Sequence, residues 1–205
     1  MYNISDEGPS LKKSLAAHGL SFDDIHHVVL THLHFDHAGG ATCAVDGKIV
    51  PTFPKAKYYV QKKNLETAST PNLRERASYF PANYQPLQEA GVLNLLDGPV
   101  ENFLPNLSAQ ISNGHTMAHQ LIRISDNKQT LVYCGDVAPT SSHVRLAWVM
   151  GYDLHPMDLI EEKIKYLGLA ADGGWYLFFE HDPYCDAALI ARQGSDFAVQ
   201  QRFSL

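Results

Sequence analysis

The chain has 205 residues, 45% of them hydrophobic and 19% charged, with a formal net charge of −6. That balance predicts one globular domain over residues 1–205 with a full core and excludes a disordered or fibrous chain. There is no stripe of Lys or Arg to meet a phosphate backbone, which argues against nucleic acid, and no apolar run approaches the ~20 residues of a membrane helix.

Pro9 to His18 reads as a short helix with Leu11 and Leu15 on one face and Gly19 as its stop; Ser21-Phe22-Asp23-Asp24 then opens a turn. Ile25 to Thr31 reads as a β-branched, buried strand that runs straight into His32-Leu33-His34-Phe35-Asp36-His37. Three imidazoles and a carboxylate are the side chains that borderline metals such as zinc prefer. Alternation sends His32 and His34 the same way at the strand end, where one metal fits between them. Asp36 and His37 follow where Ala38-Gly39-Gly40 permits tight backbone, so they face a second position beside the first. Burying four such groups unpaired would be costly, so metal binding outweighs a plain core or surface role.

Lys57 to Gln61 is a further strand, and the polar stretch from Lys62 to Pro86, with Pro71 and Pro81, is expected to be irregular with short helices and suited to cover a site. Strand-like runs recur at Val92 to Leu96, Leu107 to Ser112, Leu121 to Ser125 and Thr130 to Cys134, the last pair joined by a turn at Asp126-Asn127-Lys128. Pro156 to Ala171 predicts a helix closed by Asp172-Gly173-Gly174 before an apolar strand from Trp175 to Phe179. Strands and helices alternate, so the expected class is layered α/β.

Two metals need more ligands than the first motif holds. His115 in Gly114-His115-Thr116, Asp136 after Leu131 to Gly135, and His181 after Leu177 to Glu180 each terminate a hydrophobic run, so they can converge on one edge of a layered sheet. Asp136 is placed to bridge both metals. His119 can order its loop and His143 can reach the site, but both are expected to lie behind the ligands or at the surface, whereas His18, His26, His27 and His155 have no such setting. Cys43, Cys134 and Cys185 are odd in number and lie outside any Cys-x-x-Cys pair, so neither a disulfide framework nor a cysteine zinc site is indicated. With no basic segment leading into an apolar one at the start, a cytoplasmic location is expected.

His-x-His-x-Asp-His, Gly-His-Thr, Gly-Asp and a late His, in that order, resemble the metallo-β-lactamase superfamily over roughly Leu20 to Pro183. The run Thr31 to Gly40 and the His181-Asp182 ending look most like lactonase-type and organophosphate-hydrolase-type members. The resemblance implies an αββα sandwich of α/β (α+β) class with the site at one edge. It also implies that His32, His34 and His115 hold one divalent metal, that Asp36, His37 and His181 hold the other, and that Asp136 bridges them. Zinc is the leading metal, with iron, manganese and cobalt also suited to these donors. Two cations about 3.5–4 Å apart depress the pKa of a shared water and polarise the attacked carbonyl or phosphoryl oxygen. Asp36 and Asp136 are therefore the catalytic candidates, Asp36 also passing a proton to the leaving group.

Two departures accompany the resemblance. Members usually carry an N-terminal strand pair with an Asp-Thr-Gly turn before the helix that precedes the His motif; here only about twenty residues come before the matching stretch that starts near Leu20, so the first sheet is expected to be short, leaving core surface uncovered and favouring a homodimer. Several lactonases place a Tyr soon after the bridging Asp, whereas here His143 closes the run Asp136 to His143, so His143 substitutes or the substrate differs. The expected function is a dinuclear metal-dependent hydrolase of a small neutral ester-like substrate, a lactone first and a phosphotriester second. A metal-binding scaffold that has lost catalysis is the competing reading. Phe35, Tyr79, Phe80, Tyr84, Trp148, Met150 and Tyr152 are candidates for the pocket walls.

Overall fold

The computed structural model describes residues 10–126 and 128–204; Pro9 of the expected first helix and Asn127 of the expected turn lie outside them. Helix α1 (Leu11–Ala17) is capped by Ser10, whose hydroxyl accepts the Lys13 N–H at 3.3 Å. Leu15 packs on the core as expected, but Leu11 is 46% exposed, so the helix buries a narrower face than its sequence suggests. Strand β1 (His27–Val29), the single helical turn α2 (Phe35–Ala38), a hairpin of β2 (Thr42–Val45) and β3 (Lys48–Pro51), and β4 (Lys57–Gln61) follow. Then come α3 (Lys62–Ser69), α4 (Gln85–Glu89), β5 (Leu93–Leu96) and β6 (Val100–Leu104). The rest comprises β7 (Leu107–Ser112), β8 (His119–Ser125), β9 (Thr130–Tyr133), α5 (Pro156–Gly173), β10 (Tyr176–Phe178), β11 (Ala187–Gln193) and β12 (Asp196–Phe203).

Two sheets carry the architecture. The first is parallel, in the order β1-β4-β5, with Val28 opposite Tyr58 and Tyr58 opposite Leu93. Parallel neighbours need a crossover, and α3 and α4 supply it between β4 and β5. Tyr58 and Val60 point outward under those helices into a core with Leu33, Leu65, Ala68, Tyr84 and Leu87. The second sheet is mixed, β12-β11-β10-β9-β8-β7-β6, antiparallel except for β9 and β10, which α5 connects. Leu159, Leu167 and Ala170 of α5 pack on Leu121, Val132, Leu177, Ile190 and Phe197, forming a separate core. Each such side chain contributes roughly 1.5–3 kcal/mol when fully buried. With helices outside both sheets, the layered α/β sandwich expected from the sequence is the observed fold.

The inner faces meet through a buried polar contact. Gln61 Nε2 donates to Gln120 Oε1 at 2.8 Å, and Gln120 Nε2 donates to the Leu30 carbonyl at 2.7 Å, so β4, β8 and the segment after β1 are locked in one register. Tyr59 packs on Phe103 beside it, with ring centroids 5.5 Å apart. Beyond β1, among the described residues, the first sheet stops while the second continues. The inner side of β8 to β12 therefore stays open: Ile124 is 42% exposed, and cavities of about 460 and 380 Å³ line up along Ile122, Ile124, Leu131, Tyr133, Tyr176 and Phe203. No described helix is long and apolar enough to cross a membrane.

The open apolar face should bind a hydrophobic dye in the native state at neutral pH. Anilinonaphthalene sulfonate is expected to fluoresce with the folded protein, and Ile124→Glu should cut that signal by roughly half without lowering the urea midpoint. Native protein that leaves the dye dark would mean that the face is covered.

Candidate metal centre

The strand expected over Ile25 to Thr31 spans only His27 to Val29, and the Leu30 N–H to Tyr59 carbonyl bond at 2.9 Å is the last that ties this segment to β4. His32 and His34 therefore lie beyond the strand rather than on its last turn of pleat, but their alternation survives. Leu33 is fully buried in the first core, and its N–H donates to Asn64 Oδ1 at 2.9 Å, which turns both neighbouring imidazoles to the opposite side. The single turn α2 then starts, with the Ala38 N–H donating to the His34 carbonyl at 2.9 Å, and carries Asp36 and His37.

Two of the other three residues, His115 and Asp136, arrive on turns whose shape depends on glycine. Glu162 of α5 accepts the N–H groups of Asn113 and Gly114 at 2.7 and 3.2 Å, fixing the turn that presents His115. A Cβ at Gly114 would stand 2.4 Å from Leu159 Cβ, so this turn and α5 approach as only glycine allows. Gly135, at φ +52°, opens the turn bearing Asp136; a Cβ there would lie 2.3 Å from His119 Nε2. His119 is fully buried rather than on the surface, and its Nε2 accepts the Asp136 N–H at 3.0 Å, which is the loop-ordering part expected of it. The His181 N–H donates to the Pro139 carbonyl at 3.1 Å.

All seven residues meet at one edge of the sandwich. His34 Nδ1 lies 3.0 Å from His32 Nε2 and 3.1 Å from His115 Nε2. Asp136 Oδ2 is 3.1 Å from His115 Nε2 and 3.4 Å from His37 Nε2, while Oδ1 is 3.3 Å from His181 Nε2. Asp36 sits at the rim, its Oδ2 3.6 Å from His37 Nε2 and 4.0 Å from His181 Nε2. Two sets of donor atoms result, His32, His34 and His115 in one, and His37, Asp136, Glu180 and His181 in the other, each set lying within 4.8 Å. His18, His26, His27 and His155 belong to neither.

Carboxylates and a hydroxyl that sequence reasoning missed stand behind the rings. Thr31 Oγ1 is 3.1 Å from His32 Nδ1, Asp153 Oδ1 is 2.8 Å from His115 Nδ1, and Glu180 Oε1 is 2.9 Å from His37 Nδ1. Glu75, buried and bound by Thr116 Oγ1 at 2.7 Å, stands 3.6 Å from His34 Nε2. The contacts on His32, His115 and His37 hold those rings with the other nitrogen toward the centre, the arrangement that orients metal-binding histidines, whereas Glu75 reaches His34 only as a nearby charge. Burial pushes His32 well below the usual imidazole range, so it is neutral and offers a lone pair. Burial also opposes charge on His37, but hydrogen bonds to Asp136 and Glu180 prevail and raise it to about 10. For Asp136, burial alone would raise the carboxyl; hydrogen bonds from His181 and His37 hold it well below the usual range.

These features fit a pair of cations. His34 Nδ1 faces two imidazole nitrogens at once, and a single proton satisfies only one of those contacts, whereas a cation accepts all three lone pairs. The two donor sets share an edge at the ionised Asp136, so they fit a dinuclear metal site.

The sets floor a cavity of about 600 Å³ whose walls include Phe35, Pro139, His143, Met150 and Tyr152. His143 thus reaches the cavity, its Nδ1 2.8 Å from Thr140 Oγ1. Tyr79, Phe80, Tyr84 and Trp148 do not line it: Tyr79 and Tyr84 are core, Phe80 stacks on Phe35, and Trp148 is an outer surface residue. The polar stretch after Lys62 does contribute cover through Arg74, whose Nη2 donates to the Gly151 carbonyl at 2.6 Å across the cavity rim.

Gly135→Ala should displace Asp136, because the added methyl is both strained at positive φ and in collision with His119. The expected loss is about 1–3 kcal/mol of metal-free stability in urea, accompanied by weakened metal binding. An alanine variant with an unchanged urea midpoint and metal content would contradict this role.

Residues 4–181 match the model of the metallo-β-lactamase superfamily. An N-acyl homoserine lactonase AttM of Rhizobium johnstonii is 27% identical over 173 residues, covering 80% of this chain and 61% of the relative, so the chain spans about three-fifths of that protein's length. A probable metal-dependent hydrolase from Staphylococcus aureus superposes with a TM-score of 0.83 at 28% identity over 97% of this chain and 71% of that one. AidC, a dizinc quorum-quenching lactonase, superposes at 0.80 with 22% identity over 98% and 72%, a likeness of fold. With the fold, the ordered donor motifs and the match over residues 4–181 in agreement, the chain belongs to the metallo-β-lactamase superfamily.

Proposed function

We propose that the protein, acting as one domain, is a dinuclear metal-dependent hydrolase of small uncharged ester-like substrates, with a lactone as the preferred class. The observation that carries this reading is the meeting of both donor sets at Asp136 on the floor of the 600 Å³ cavity. In this reading His32, His34 and His115 hold one cation, Asp36, His37 and His181 hold the other, and Asp136 bridges them. Cations bound there would activate a water near neutral pH and polarise the scissile carbonyl. The chain's own part is to keep His32 and His34 neutral by burial, to hold His37 between Glu180 and Asp136, and to gather the donors around Asp136. Asp36, with its side chain 42% exposed at the rim, is the residue free to carry a proton to the leaving alkoxide. Phe35, Pro139 and Met150 give the acyl part an apolar wall, and no cluster of cations in the cavity lining asks for an anionic substrate.

The lactonase relatives support a lactone, and an N-acyl homoserine lactone is the first compound to try. The scaffold reading has one observation in its favour: Asp36, His37, Glu180 and His181 also line the cavity on the open inner face, so the second donor set is approachable from behind. Zinc is the leading cation. The test is metal content per chain, followed by turnover of lactones and of a phosphotriester. Two cations with lactone turnover, lost on chelation and lowered more than about 100-fold in kcat/KM by Asp136→Asn, is the expected result. Preference for the phosphotriester would reassign the substrate, and two cations with no turnover would leave the scaffold.

A further inference from the structure

Glu180 precedes His181 at the end of β10, and its carboxylate turns back beneath the His37 ring rather than into the substrate cavity. Oε1 lies 2.9 Å from His37 Nδ1, and Oε2 accepts the Tyr133 hydroxyl proton. The side chain is only 12% exposed. On the other side of the same ring, Nε2 faces Asp136 Oδ2 and His181 Nε2, each at 3.4 Å. Once a cation takes the place of the Nε2 proton, an imidazole that keeps its Nδ1–H on a carboxylate presents its lone pair at Nε2, and the neighbouring negative charge makes that lone pair a stronger donor. Asp153 stands in the same relation to His115 in the other donor set, 2.8 Å from Nδ1, and is itself fixed by the Met150 N–H at 2.6 Å. The two carboxylates thus stand behind different rings of different sets, and Tyr133 and Met150 anchor them separately.

Resting on the dinuclear reading above, we propose that Glu180 is a positioning residue for the second cation alone: it fixes the tautomer and direction of His37 and sets the affinity of that sub-site independently of the first. Glu180 lies 4.0 Å from His181 Nε2, so its charge also bears on the second ligand of the same set, whereas Asp153 serves His115 only. The affinities of the two sub-sites are therefore separable by mutation without touching a residue that holds a cation.

The experiment titrates the full metal-free chain with zinc against a chromophoric chelator and follows the cobalt-substituted protein by proton NMR. Wild type should show two binding steps and an exchangeable, strongly shifted proton from His37 Nδ1–H. Glu180→Gln should weaken one step by about 10–100-fold, leave the other within about two-fold, and lose the shifted proton to solvent exchange; Asp153→Asn should weaken the other step. A urea midpoint of the metal-free variant close to wild type separates this from unfolding. If Glu180→Gln does not fold, Tyr133→Phe, which loosens Glu180 while keeping the carboxylate, should weaken the same step to a smaller degree. Equal weakening of both steps, or no weakening in a chain that binds two cations, overturns the proposal alone. A cobalt spectrum showing one ligand fewer in Glu180→Gln would make Glu180 a ligand, which also overturns it. Wild type that binds no cation overturns this proposal and the dinuclear reading together.

Discussion

One ionised carboxylate in a nearly dry place, Asp136, governs the arrangement. Burial resists its charge, and only contact with the imidazoles of both donor sets makes that charge tolerable. His115 and His181 come from turns far apart in sequence, and both must reach the same carboxylate. The glycine turn at Gly135, the His119 hydrogen bond to the Asp136 amide and the close approach of Gly114 to α5 all serve that convergence. Such a centre contributes little to stability by itself, so the two apolar cores on the outer sides of the sheets have to carry the fold.

The path from those cores to the centre can be followed through named contacts. Leu33 is anchored in the first core and by Asn64, and its burial aims His32 and His34. Gln61 and Gln120 tie the first sheet to the second at the level of Leu30 and Thr31, two residues before the first ligand candidate. From the second core, α5 reaches the site twice. Glu162 fixes the turn of His115, and Lys163, wholly buried, donates to the carbonyls of Arg145 and Trp148 at 2.6 and 2.8 Å. Burial pushes that ammonium down to about 8, a cost offset by the carbonyls it gathers. The loop it holds leads into Met150 and Tyr152 of the cavity wall.

That the seven residues singled out from the sequence would converge was legible because metal chemistry demands rare side chains at short spacing, and because His32, His115, Asp136 and His181 each follow an apolar run that announces a strand end. Glu75, Asp153 and Glu180 were not legible. A lone carboxylate in a loop looks the same whether it faces water or the back of an imidazole, and only the fold brings Asp153 across 38 residues to His115. The layered class followed from alternation of strands and helices, yet β2, β3 and β6 escaped notice because they are short and partly exposed, with mixed patterns. The paired strands β11 and β12 escaped too, since Arg192, Gln193, Gln200, Gln201 and Arg202 dilute their apolar period. The reach of β1 was overstated because the β-branched residues before His32 continue an extended path without a second partner strand.

The last strand bears on how the centre comes into being. Arg202 of β12 donates to Ser141 Oγ at 2.6 Å, and Ser141, through its N–H and hydroxyl, holds Asp182 Oδ2 at 2.8 and 2.5 Å, immediately after His181. A side chain in the final strand thus helps fix the stretch on which the latest of the seven residues stands. During synthesis on the ribosome, His32 to His37 emerge long before that latch exists. The hydrogen bonds that steady the segment after His181 are therefore complete only once the chain through Arg202 has cleared the exit tunnel.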